Sequence, residues 1–148
     1  MSERSDAVDA WEALFRAQVS VLRQLHEEFP TSELSLNEYD VLFALSRQED
    51  REARIRDLNR HLFLSQPSVS RLIDRLVARG LATKRADETD ARGTVVALTE
   101  AGSQLFREVA VVHGESIYRR VSAALTPAEL RSLRELSDKL RLGGIRPK

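Results

Sequence analysis

The chain has no cysteine, which excludes disulfides, thiolate nucleophiles, thiolate metal sites and any thiol-based oxidant switch within it. It also has no apolar run approaching the about 18 residues of a membrane span, and Met1 to Asp6 opens no signal-peptide-like segment. The expectation is a soluble, cytoplasmic protein without a membrane partner. Catalytic signatures are missing as well. There is no G-x-S-x-G, no P-loop, no H-E-x-x-H and no glycine-rich strand-to-helix turn, so an enzyme is not expected. His26, His61 and His113 lie on separate elements with no ligand-spaced neighbours, which disfavours a metal site, and no cofactor is expected. Net charge is absent too, with 23 basic and 23 acidic residues.

What is present suffices for one domain spanning 1–148: an apolar fraction of 42% can build a core without staples. The charges are unevenly placed. Residues 1–50 carry 4 basic and 11 acidic side chains, a net of −7, while residues 51–95 net +4 and residues 96–148 net +3. A basic middle beside an acidic N-terminal third suits a chain in which one segment faces phosphates, although charge runs also mark ordinary solvated faces.

Periodicity supplies the elements. Val8, Trp11, Phe15, Leu22, Leu25 and Phe29 recur at helical spacing, predicting a long amphipathic helix from about Asp6 to Phe29, ended by Pro30. Ser35 and Glu38 form a capping-box pattern that opens a second helix at about residue 36, and the charged stretch Arg47 to Arg54 reads as a loop. A short helix from Arg56 to His61 is followed by a break at Leu64-Ser65. A second helix, from Gln66, then carries Val69, Leu72, Ile73, Leu76 and Val77 and is closed by Gly80. Two short helices around a tight turn make a helix-turn-helix. Leu81 to Arg85 and Thr94 to Leu98 read as strands flanking a charged tip, a hairpin wing. Thr99 caps a further long helix, and Thr126-Pro127-Ala128-Glu129 opens the last. The fold class is mainly α with a small β-hairpin.

On a helical wheel Val69, Leu72, Ile73 and Leu76 share one side, and Pro67, Arg71, Asp74 and Ala78 the other, flanked by Ser68, Ser70 and Arg75. Such a helix fits the major groove of DNA and meets bases through its N-terminal residues, here Gln66, Pro67, Ser68, Ser70 and Arg71. Arg71 either presents a bidentate fork to guanine or pairs with Asp74. At the wing tip Gly93 relieves the backbone and leaves Arg92 to enter a narrow minor groove, with Asp90 placed to brace it. The carboxylates of Asp87, Glu88 and Asp90 suit a phosphate-facing tip only if arginines within the protein take them up. Lys84 and Arg85 either do this or touch phosphates themselves. A solvated hairpin of mixed charge is the other reading.

Taken together, Leu58, Leu62, the run Leu64 to Arg71, Arg79-Gly80-Leu81, Arg85, Asp90-Ala91-Arg92-Gly93 and Leu98-Thr99-Glu100-Ala101-Gly102 resemble the MarR/SlyA family of regulators. The D-x-R-G wing followed at the proper interval by L-T-x-x-G is the specific part. The likeness in element order covers residues 6 to 142. It implies a winged helix-turn-helix at 34–98 flanked by dimerisation helices at 6–30 and 99–142, and a homodimer on a pseudopalindromic double-stranded operator. By position, it further implies Arg71 as a base-contacting residue beside Pro67, Arg92 as the minor-groove arginine and Asp90 as the wing-orienting residue. Lys84 and Arg75 join the DNA-binding set. Two departures stand out. Ala91 replaces a frequent second wing arginine, and Asn59 stands where a small apolar residue is usual.

Family likeness also implies a repressor released by a small aromatic or anionic effector held in a crevice between the dimerisation helices and the winged part. Trp11, Phe15, Arg16, Tyr39, Phe43 and His113 are the candidates, with Arg16 as a carboxylate partner. The competing reading of the aromatics is ordinary core packing. The competing function is a winged-helix protein-interaction module that does not bind DNA.

Overall fold

The computed structural model describes residues 2–62 and 64–143, the side chain of His61 excepted. In chain order these form α1 (Glu3–Glu28), α2 (Leu36–Ser46), a single 3-10 turn (Glu49–Arg51), β1 (Glu52–Arg54), α3 (Ile55–His61), α4 (Gln66–Ala78), β2 (Ala82–Ala86), β3 (Thr94–Leu98), α5 (Glu100–Ala124) and α6 (Pro127–Gly143). The described residues of 1–28 and 114–148 make one compact unit, and 29–113 make the other.

Caps set the helix boundaries in the second unit. The Glu38 amide donates to Ser35 Oγ at 3.1 Å, and the Ser35 amide donates to Glu38 Oε1 at 3.0 Å, the reciprocal box expected from the sequence. Ser65 caps α4 by accepting from the Ser68 amide at 3.3 Å. At the other end of α4 Gly80 takes φ 74°, and the Leu81 amide donates to the Leu76 carbonyl at 2.9 Å while that of Gly80 donates to Val77 at 3.0 Å. That six-to-one and five-to-two pairing needs a left-handed residue, which glycine adopts without penalty.

The stretch Arg47 to Arg54 is not the loop its charges suggested. It holds the 3-10 turn and strand β1, which pairs antiparallel with β3 so that the sheet order is β1-β3-β2. Glu52 lies opposite Ala97 and Arg54 opposite Val95, while on the far side Ala82 pairs with Leu98 and Ala86 with Thr94. A three-residue strand of Glu, Ala and Arg has no alternation to announce it; it becomes a strand because β3 offers it an open edge. β2 likewise begins at Ala82 rather than Leu81.

The core of this unit gathers Leu34, Val41, Leu42 and Leu45 of α2 and its approach, Leu58 of α3, Val69, Leu72, Ile73 and Leu76 of α4, and Val96 of β3. Burying the four α4 side chains contributes on the order of 6–12 kcal/mol before chain entropy is set against it. The unit continues past the wing, because Leu105, Phe106, Val109 and Ala110 of α5 pack on the same core. Where α5 begins, Thr99 Oγ accepts from the Gly102 amide at 3.0 Å and donates to the Gly80 carbonyl at 2.7 Å, and the Thr99 amide donates to Leu81 at 3.1 Å. The approach is so close that a Cβ on Gly102 would stand 2.0 Å from the Leu81 carbonyl oxygen. This explains the L-T-x-x-G spacing: the threonine caps and anchors, and the glycine three residues later admits the neighbouring backbone.

In the first unit Glu28 receives Arg120 in a short ion pair and Arg119 at 3.7 Å, and the Arg120 hydrogen bond holds its carboxyl below the usual range. Thr126 and Glu129 form a second reciprocal box at the start of α6. Apolar stripes here are largely uncovered: Val8, Trp11, Phe15, Val19 and Leu22 on α1 and Leu133, Leu136 and Leu140 on α6 are exposed, and α6 buries no residue. Among the described residues no helix is long and apolar enough to cross a membrane.

Candidate nucleic-acid interface

Because α4 turns its apolar side into the core, Gln66, Pro67, Ser70, Arg71 and Arg75 are left exposed and Ser68 half-buried. Arg71 does not pair with Asp74. Its nearest partner is Ser68 Oγ at 3.4 Å, and Asp74 is taken by Lys84 Nζ at 2.5 Å. Lys84 therefore holds β2 to α4, whereas Arg71 and Arg75 carry no carboxylate among the described residues. The Asn37 side of α2 and the Ser68, Arg71 and Arg75 side of α4 border a shallow hollow of about 230 Å³.

Arginines outside the wing take up two of its three carboxylates, Asp87 and Asp90. Asp87 is buried, accepts the Thr89 amide at 3.0 Å and its hydroxyl at 2.9 Å, and faces Arg54 Nε at 2.5 Å. These contacts, the Thr89 amide first, hold its carboxyl below the usual aspartate value. Arg54 also donates to Thr89 Oγ at 2.7 Å. Glu52 and Arg85 form a two-pronged pair at 2.8 and 2.9 Å, which lowers the Glu52 pKa and raises that of Arg85. Arg85 is thus a strut between β1 and β2.

Asp90 braces the tip differently from the sequence expectation. Its Oδ1 accepts the backbone amide of Arg92 at 3.1 Å, and its other oxygen lies 3.6 Å from Arg56, so the Arg92 guanidinium keeps no carboxylate partner among the described residues. Gly93 also serves another purpose than the one expected. Its φ is not in the left-handed region; what it supplies is room, since a Cβ there would come to 3.1 Å from Asp87 Cβ and 3.3 Å from the Asp90 carbonyl oxygen.

Between α3, α4 and the wing lies a solvent-open hollow of about 340 Å³, bordered by Gln66, Ser70, Asp90 and Arg92 of the expected set. Arg54, Arg56 and Asn59 also border it, and sequence reasoning missed them. The unbalanced wing carboxylates were the signal that arginines elsewhere had to approach. Asn59 lines this polar space with its Oδ1 buried and unpartnered, while its neighbour Leu58 fills the core position.

Of the effector candidates, Tyr39, Phe43 and His113 join Phe29 and Phe106 in one aromatic cluster, with Tyr39 to His113 centroids 5.0 Å and Tyr39 to Phe106 5.2 Å apart. Tyr39 and His113 are buried and Phe43 is exposed, with the Arg47 guanidinium 5.1 Å from the Phe43 ring centre. Burial pushes the His113 pKa down and that of Tyr39 up. Trp11, Phe15 and Arg16 lie exposed on α1 in the other unit, where Arg16 sits 3.8 Å from Glu12.

The family model described as MarR family matches residues 32–93, from the approach to α2 through the wing tip. The HTH-type transcriptional regulator YpoP of Bacillus subtilis is 28% identical over 140 residues, 95% of this chain and 97% of that protein. The chain is thus similar to MarR family regulators, through the family model over residues 32–93 and through relatives along most of its length. Among solved members, the MarR family transcriptional regulator AbsC of Streptomyces coelicolor is 27% identical with a TM-score of 0.73, covering 95% of this chain and 97% of that one. BpsR of Bordetella bronchiseptica, whose DNA binding is regulated by 6-hydroxynicotinic acid, is 28% identical with a TM-score of 0.75, covering 90% and 98%. The MarR fold is mainly helical with a small antiparallel sheet, as here.

Proposed function

We propose that this chain is a sequence-specific, double-stranded-DNA-binding transcription regulator that acts as a homodimer on a pseudopalindromic operator. One observation carries the reading. Arg71 on α4 and Arg92 on the wing each keep a guanidinium free of carboxylates among the described residues, while the acidic side chains around them are taken up by Lys84, Arg54 and Arg56. Pro67, Ser68 and Ser70 join Arg71 in reading base edges in the major groove, and Arg92 enters the minor groove, with Asp90 and Gly93 shaping the tip. With Asp87 and Asp90 engaged by arginines, Glu88 is the one exposed wing carboxylate without an ion pair among the described residues, which weighs against the protein-interaction alternative.

The uncovered stripes of α1 and α6 support a second copy as partner, since apolar area on this scale is rarely left to water. A two-fold axis then spaces two α4 helices about 34 Å apart, one helical turn of duplex. We assign repression as the outcome and release by a small aromatic anion as its control, in line with the acid that regulates BpsR. Phe43, with Arg47 beside it, is the accessible part of the aromatic cluster for such a ligand. Selection of operators from random duplexes, followed by anisotropy titrations over a salt series, tests the reading. Binding should fall steeply with salt as counterions are released. Failure to bind any selected or random duplex at low ionic strength would end it.

A further inference from the structure

We propose that the hollow between α3, α4 and the wing seats one backbone phosphate of the bound duplex, with Arg56 as its cation; this rests on the DNA-binding reading above. Geometry supplies the first argument. If α4 lies in the major groove and Arg92 in the adjacent minor groove, the sugar-phosphate strand that separates the two grooves must pass between them, over this hollow.

The side chains supply the second. Three arginines, Arg54, Arg56 and Arg92, border a space of about 340 Å³ against one acidic residue, Asp90. They are not equivalent. Arg54 is committed to Asp87 and Thr89, and Arg92 belongs to the minor groove. The Arg56 guanidinium makes no hydrogen bond among the described residues; its one ion pair, to Asp90, is 3.6 Å long and the side chain is 56% exposed. An exposed pair of that length is worth little, so exchanging it for a phosphate meets small resistance, and a planar guanidinium matches two phosphate oxygens at once. Gln66 and Ser70 add polar hydrogens from the first turns of α4. Asn59 completes the lining, and a half-turn of its buried carboxamide would replace the unpartnered oxygen with an NH₂ donor.

The test is a salt series on a half-site duplex with Arg56→Ala and Arg56→Lys, each checked for native circular dichroism. Arg56→Ala is expected to weaken operator and random duplexes by a common factor and to reduce the slope of log K against log salt by about 0.9, the loss of one phosphate contact. Arg56→Lys should keep the slope, because it keeps the charge. An unchanged slope in Arg56→Ala overturns the proposal, as does a loss confined to duplexes with A·T-rich flanks, which would mean that Arg56 acts only by holding the wing through Asp90. A parallel arm replaces chloride by inorganic phosphate at constant ionic strength and follows the arginine Nε–H resonances. A shift at Arg56 supports an anion seat, whereas a shift there with no change in duplex slope assigns the hollow to free phosphate and overturns the duplex contact. If the unsubstituted chain binds no duplex, the regulator reading itself has failed; if it binds and the slope is unmoved, only this inference has.

Discussion

Gly102→Ala tests the account of how α5 docks at the base of the wing. The added Cβ would stand 2.0 Å from the Leu81 carbonyl oxygen and 2.9 Å from Leu98 Cδ1. The closest ordinary C–H···O contacts are about 3.3 Å, so the start of α5 must retreat by roughly 1 Å. Backbone displacement on that scale costs about 1–3 kcal/mol. It also pulls Thr99 from the Gly80 and Leu81 carbonyls, at about 0.5–1.5 kcal/mol for each hydrogen bond. Against these stands the gain of about 1 kcal/mol when a helical glycine becomes alanine. The net expectation is a loss of about 1–5 kcal/mol, a fall of roughly 2–20 °C in Tm for a chain of this length.

Gly114→Ala is the control, because the same helix leaves open space around a Cβ at Gly114, and there the helix-propensity gain of about 0.5–1 kcal/mol should appear alone. Urea denaturation and thermal melts followed by circular dichroism, at one protomer concentration for all variants, measure both. A Gly102→Ala protein as stable as the unsubstituted chain would refute the close-approach explanation of the L-T-x-x-G motif. So would two glycine variants that move together in the destabilising direction by similar amounts, since that would trace the effect to something other than the Leu81 carbonyl.

Further outcomes are expected of substitutions at the interface, in the core and on α6. Arg71→Ala should cost about 1–3 kcal/mol of operator binding and relax base choice, and Arg92→Ala should lose most on A·T-rich flanks; titration against base-substituted duplexes checks both, and an unaltered preference counts against the assigned roles. Asp74→Asn removes a carboxylate from the α4 face and releases Lys84, so duplexes of every sequence should bind more tightly at low salt; weaker binding would mean that the Asp74–Lys84 pair orients α4 or the lysine. Burial holds the His113 imidazole below its ordinary pKa, so on acidification the unfolded chain takes up the proton first and stability falls as pH drops through about 6.5. His113→Phe should flatten that part of the curve, read from urea midpoints at pH 5.5 and 7.5. Leu136→Glu, placed on the exposed stripe of α6, should shift sedimentation toward monomer and weaken operator binding without loss of helix content; an unchanged assembly would show that this stripe does not join two copies.

The helices were readable because their signals are local. Apolar residues at spacings of three and four, Ser35 with Glu38, Ser65, Gly80 and Thr126 with Glu129 each act within about one turn of the chain, and the structure puts their caps where the pattern required. Strand β1 was not readable. Glu52, Ala53 and Arg54 carry no alternation, and only the free edge of β3 makes them a strand. Sequence spacing likewise identified Arg71 and Arg92 as candidates. It left open whether Asp74 holds Arg71, and for the wing carboxylates it offered Lys84 and Arg85, which the structure gives to Asp74 and Glu52 while Arg54 takes Asp87.

Through composition and periodicity alone, then, this chain prescribes its helix-turn-helix, its hairpin and the apolar faces that must find cover. Which cations remain available to a polyanion was decided by folding: Arg54 meets Asp87 across 33 residues of chain and Lys84 meets Asp74 from a different element. Helix periodicity is written in neighbours three and four apart, whereas a charge is cancelled by whatever group the fold brings within a few ångströms, and that distance appears only once the chain has closed on itself.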